Sequence, residues 1–204
     1  MNPPYDAVAS LGSDCQVAHR LRETLPALHR AGPFDWLVTP FAALVRALTL
    51  DFDGFMAPAQ LDRYAGKGYE HVVFDRTYGV LAFHDFTATT PLTNTDVQDK
   101  YAHTVGTLRG LLREPGRRVL LVRKDATKAQ ATELAVVLDR VAPAAWDLLA
   151  LTPAPTAPWG IPRVTNRFLK PHARWQGDDG AWATLLSPFH TTSEGAPRDR
   201  PGHP

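Results

Sequence analysis

Residues 118–151, RVLLVRKDATKAQATELAVVLDRVAPAAWDLLAL, decide the fold. Arg118 to Arg123 is a continuous apolar run of the kind a strand shows when both of its faces are buried. From about Lys128 to Val141 the apolar residues Leu134, Val137, Leu138 and Val141 recur at helical spacing, and Trp146 to Leu151 is a second buried run. Strand, amphipathic helix, strand in that order predicts a right-handed parallel crossover. The class is therefore α/β, with α+β as the other class compatible with the pattern. The expected architecture is a single compact domain with a mixed sheet of about five strands flanked by helices.

Upstream of this unit the alternation continues. Asp6 to Leu11 reads as a strand ended by Gly12, and the helix after it carries Val17, Leu21 and Leu25 on one face. A second helix is predicted from Pro40 to Leu50, with Thr39 as N-cap and Phe41, Leu44, Val45 and Leu48 in one stripe. Tyr69 to Phe74 and Gly79 to Phe83 read as two strands around a turn at Arg76 to Tyr78, in the manner of a hairpin. A long helix follows from about Thr95 to Leu112, stopped by Pro115 and Gly116. Downstream, the sequence predicts a PAPTAPWG loop, an edge strand from Val164 to Leu169, and a short last helix from Trp182 to Leu186. The domain is expected to span residues 1–189. The remaining 190–204 has almost nothing to bury and reads as a disordered tail.

Composition narrows the class more than the function. The 204 residues are 44% hydrophobic and 21% charged, with a formal net charge of +1, so bulk electrostatics marks no nucleic-acid footprint. The start MNPPYDAV has neither the basic nor the apolar region of a secretion signal, and no stretch approaches the length of a membrane span. A cytoplasmic protein without nucleic-acid or membrane partners is the expectation. No Gly-rich phosphate loop is present and no cofactor is called for. The oligomeric state is open.

Chemistry gathers in three clusters. The first is Gly12-Ser13-Asp14-Cys15, where the one cysteine of the chain falls at a predicted helix N-terminus. Unpaired N–H groups and the positive helix end favour a thiolate there and are expected to lower the thiol pKa; Ser13 or Asp14 can cap the helix. With no second cysteine, an internal disulfide is excluded. The second cluster is Phe83-His84-Asp85-Phe86, at the end of the GVLAFHDF run, where an imidazole can project into a cleft and serve a cysteine as base. His19, one helical turn after Cys15, is a geometric competitor. In the third, Gly32-Pro33-Phe34-Asp35-Trp36, a carboxylate between two aromatics needs a partner once buried: an imidazolium in the site, or backbone N–H groups of a tight turn. Asp85 points to the opposite face from His84 if the strand is regular, and Asp125, just after the RVLLVRK strand, is a further candidate for the orienting acid.

Taken together, SLGSDCQVAHRLR, GPFDWLVTP, YGVLAFHDF, RRVLLVRK and GDDGAWATLL, in that order between Tyr5 and Leu186, resemble the bacterial family of papain-like cysteine peptidases designated domain of unknown function 1796. The resemblance implies Cys15 as nucleophile, His84 as general base, and Asp35 or Asp85 as the acid that orients the imidazole. Ser13, Asp14 and Gln16 would support the oxyanion. Two departures stand out: papain-like enzymes place a glutamine several residues before the cysteine, whereas here Gln16 follows it, and the CGSCW motif is absent.

The reading that follows is a thiol hydrolase or acyl transferase acting on a peptide, amide, ester or thioester. A second class is a non-catalytic or differently catalytic partner in cell-surface glycan or peptide natural-product pathways, with Cys15 and His84 lining a ligand pocket. A third is a metal site built from Cys15, His84 and His19 or Asp35, for which the ligands are few and dispersed.

Overall fold

The structure, a computed structural model, describes residues 5–66 and 68–189; the expected tail, 190–204, lies outside the described residues. In chain order the elements are β1 (Ala7–Ser10), α1 (Cys15–Thr24), β2 (Leu37–Val38), α2 (Phe41–Thr49), β3 (Leu61–Arg63), β4 (Val73–Asp75), β5 (Leu81–Ala82), α3 (Thr95–Arg113), β6 (Arg118–Arg123), α4 (Lys128–Val141), β7 (Ala145–Thr152), β8 (Val164–Phe168) and α5 (Asp179–Leu186).

The expected mixed sheet is two separate sheets. One is wholly parallel in the order β1-β6-β7-β8, and the other wholly antiparallel in the order β2-β5-β4-β3. The crossover pair is parallel in the register Val119↔Trp146 through Arg123↔Ala150, and β8 takes the edge. Alternation along these strands feeds two cores. Ala7, Ala9, Val119, Leu121, Leu148 and Ala150 pack with α2, α3, α4 and the antiparallel sheet. Val8, Leu120, Val122, Leu149 and Leu151 pack with α1 and α5. Trp146 anchors the first core and Trp182 the second, both essentially fully buried; side chains of this size each remove about 150–250 Å² from water.

The helix starts follow local chemistry, with one correction. Asn94, Thr127 and Asp178 cap α3, α4 and α5, and Thr127 forms a reciprocal capping box with Gln130. Capped by Asp178, α5 begins at Asp179, three residues before the expected Trp182. Thr39 does not cap α2: Pro40 occupies the N-cap position without a side-chain bond, and the Thr39 hydroxyl is buried with no hydrogen-bond partner among the described residues. The Thr39 backbone serves the site instead, its N–H donating to Ser13 O at 3.0 Å. No helix among the described residues is long and apolar enough to cross a membrane.

Candidate active site

All four parallel strands point the same way, and ligands of such sheets bind outside their carboxyl ends. At that edge the chain leaves β1 through two residues with left-handed backbone, Gly12 (φ +75°) and Ser13 (φ +89°). Glycine is required at the first, because a Cβ there would meet Thr39 at 3.2 Å and Phe34 at 3.3 Å. The turn delivers Cys15 as the first residue of α1. Arg123, the last residue of β6 and 5% exposed, braces it from beneath by donating to Leu11 O at 2.8 Å and Thr39 O at 2.9 Å. Burial pulls this guanidinium down to about 10.

Cys15 opens onto a cleft of about 650 Å³ whose walls also include His84, so the two residues of the expected pair meet in one cavity. His84 lies two residues past β5 and is exposed; its ring meets Trp36 edge-on at 5.8 Å, and the Arg22 guanidinium covers Trp36 at 5.4 Å. One side of the cleft carries Asp14, Lys124 and Asp125. Lys124 Nζ lies 2.5 Å from Asp14 Oδ2 and 3.5 Å from Asp125 Oδ2, and the Ser13 hydroxyl donates to Asp125 Oδ2 at 3.1 Å. The other side is the segment after β8, with Leu169, Lys170, Pro171, His172, Arg174 and Trp175.

Several expected roles change with this geometry. Neither Asp35 nor Asp85 is among the residues lining the cleft. Asp35 takes the tight-turn alternative: its buried Oδ2 accepts the Gly32 N–H at 3.1 Å and lies 3.5 Å from His29 Nε2. Asp85 accepts from Lys100 Nζ and the Tyr101 hydroxyl. Among the acids considered from sequence, Asp14 and Asp125 reach the cleft. Asp14 caps α1, its Oδ1 accepting the Gln16 N–H at 3.0 Å, so that N–H is already spent. The Gln16 side chain is spent as well, donating to Trp175 O at 2.6 Å. His19 packs its ring on Trp175 at 5.0 Å and lies 3.6 Å from Glu23. Among the described residues, no group of three or more His, Cys, Asp or Glu side chains is arranged to hold a metal ion.

The thiol also departs from expectation. Burial pushes Cys15 up from its ordinary 9.0 to about 11; the Asp14 charge adds to this, its own backbone N–H opposes it, and the charges of Asp85 and Asp35 add further. The helix N-terminus is present, but its positive end is answered by the Asp14 carboxylate beside the sulfur, and desolvation outweighs what remains. At neutral pH the resting group is a thiol.

A family model described as "Putative papain-like cysteine peptidase (DUF1796)" matches residues 6–146, more than half of the chain. The chain belongs to this family. Cys15 and His84 lie within the matched stretch, whereas β8, the Leu169–Trp175 wall and α5 follow it. No curated protein and no solved structure matches the chain significantly. The sequence does not mark Lys124, Lys170, His172 or Arg174 as site residues, and Trp175, one of the tryptophans that could shape a cleft, reads there as packing. The run LKPHARW, basic residues with a terminal aromatic directly after a predicted strand, was the available signal for the last four.

Proposed function

We propose that this protein is a cysteine hydrolase or acyl transferase in which the Cys15 sulfur attacks an amide, ester or thioester carbonyl and His84 carries the proton. The observation that supports this most directly is that Cys15 and His84, far apart in sequence, line one cleft at the start of α1. Membership in a cysteine peptidase family points the same way.

Because Cys15 rests as a thiol, the reaction uses an assisted attack and not a standing thiolate. His84 accepts the thiol proton as the S–C bond forms, then returns it to the departing nitrogen, oxygen or sulfur as that bond breaks. Water or an acceptor nucleophile next gives its proton to His84 as it adds to the thioester carbonyl, and His84 returns that proton to the departing Cys15 sulfur as the C–S bond breaks, which restores the resting thiol. Trp36 restrains the imidazole through its edge contact. Asp35 and Asp85 act on the sulfur only as distant charges that keep it protonated.

The test is acetylation by an activated aryl ester, followed by intact mass and peptide mapping. The expected result is one acetyl group on Cys15, formed far faster than on the unfolded chain, absent in Cys15→Ala and slowed in His84→Ala. Acetylation no faster than in the unfolded chain, or indifferent to His84, would overturn the proposal.

A further inference from the structure

The two sides of the cleft differ in what their charges are doing. On the α1 side, Asp14 and Asp125 share Lys124, and Ser13 completes the set. On the opposite side, Lys170 and Arg174 face the same cavity with no ion-pair partner among the described residues. Between them, His172 accepts the Arg174 backbone N–H at Nδ1 at 3.1 Å, which leaves its Nε2 as the ring's N–H donor.

This second wall is held in place although its side chains from Lys170 to Trp175 are exposed. Gln16 holds the Trp175 carbonyl at 2.6 Å, and Arg20, 5% exposed, donates to Gln176 O at 2.5 Å and Gly177 O at 3.2 Å and pairs with Asp179 at 2.6 Å. Gly177 (φ +75°) sits so close to Gln16 that an added Cβ would come within 2.8 Å of its amide nitrogen. A buried arginine and a buried glutamine thus fix the backbone of a segment whose own cations are left unanswered. Such cations beside a nucleophile attract and orient an anion.

We propose that the Lys170–Arg174 wall is the specificity element of the cleft, recognising a substrate that carries a carboxylate or phosphate close to the carbonyl attacked by Cys15. The inference rests on the reading of Cys15 as the acylated atom. It adds the substrate class, an anionic acyl compound. The element that selects it lies outside the stretch matched by the family.

The test compares alkylation of Cys15 by iodoacetate and by iodoacetamide, which share an electrophile and differ in charge. Their rate ratio cancels the fraction of thiolate. At low salt the wild-type ratio should exceed that of the unfolded chain about fivefold, the scale of one contact between unit charges in water. It should collapse toward the unfolded value in Lys170→Gln/Arg174→Gln and on raising the salt. It should persist in Arg140→Gln, which removes a cation from the last turn of α4, at the far end of the sheet. A cooperative melt of the double variant establishes that it is folded. Acetate and inorganic phosphate at equal ionic strength should each slow labelling by iodoacetate, and the stronger competitor names the anion. A wild-type ratio no higher than that of the unfolded chain, a ratio unchanged in the double variant, or failure of both competitors overturns the proposal. Failed acetylation with the ratio intact would instead sink the nucleophile reading and leave the anion site standing.

Discussion

The two walls of the cleft are built by opposite uses of charge. Around the β1–α1 turn the charged side chains satisfy one another: Lys124 holds Asp14 and Asp125, Asp14 caps α1, and Arg123 is buried against the carbonyls of Leu11 and Thr39. After β8, the backbone is gripped from outside by Gln16 and Arg20, and the wall's own cations, Lys170 and Arg174, have no ion-pair partner among the described residues. A charge spent on holding the site together is unavailable for recognition, and α1 serves both walls. Its first residue is the candidate nucleophile. Gln16 and Arg20, on the same helix, carry the opposite wall.

The sharpest way to break the first wall is Arg123→Met. It leaves two buried carbonyls without donors, and the expected loss is about 3 kcal/mol of unfolding free energy in urea denaturation. A loss under 1 kcal/mol would show that Arg123 does not brace the turn. For the second wall, Gly177→Ala combines a left-handed backbone with a 2.8 Å approach to Gln16. About 2 kcal/mol of destabilisation is expected. The iodoacetate preference should fall with it, while the Lys124 pairs of the first wall persist; a retained preference would detach the loop anchors from anion recognition.

A pH titration of stability probes the sulfur between the walls. The folded protein keeps the Cys15 proton up to about 11, whereas the unfolded chain loses it near 9.0. Between these values the folded state holds more protons, so stability declines as pH rises. The decline should be steeper in wild type than in Cys15→Ala by about 1–2 kcal/mol across the window, the comparison cancelling Tyr5 and Tyr78 and all of Tyr101 but the part its pKa owes to the Cys15 charge, raised tyrosines that bend the curve the same way. Parallel curves would refute a buried, protonated thiol. The smallest effect is expected from Asp14→Asn, which keeps the cap and removes a charge that raises Cys15. Iodoacetamide labelling at pH 8 should rise about threefold with the melting temperature nearly unchanged. An unaltered rate would deny Asp14 its influence on the sulfur.

Much of the frame was legible because its signals are local. Buried runs marked β6 and β7, helical spacing marked α1 to α4, and Gly12 marked the turn before Cys15. The splitting of the expected mixed sheet was not legible. β4 and β5 fall on the expected hairpin, but β2 and β3, two and three residues long, are too short to show a period and exist through their partners. Thr39 matches a cap by local pattern, but its backbone is claimed by Ser13 and Arg123 across the fold.

By itself the sequence determined the α/β class, the position of Cys15 at the start of a helix after a strand, and the family to which the chain belongs, since these depend on periodicity and on motifs within a few residues. Only the tertiary structure decided that His84 reaches the Cys15 cleft while Asp35 and Asp85 turn to other partners. It likewise decided that the thiol rests protonated and that Lys170 and Arg174 form the facing wall. The physical reason is that burial, ion pairing and carbonyl anchoring act through space between residues such as Gln16 and Trp175 or Asp14 and Lys124, and no local pattern along the chain encodes which of these groups will meet.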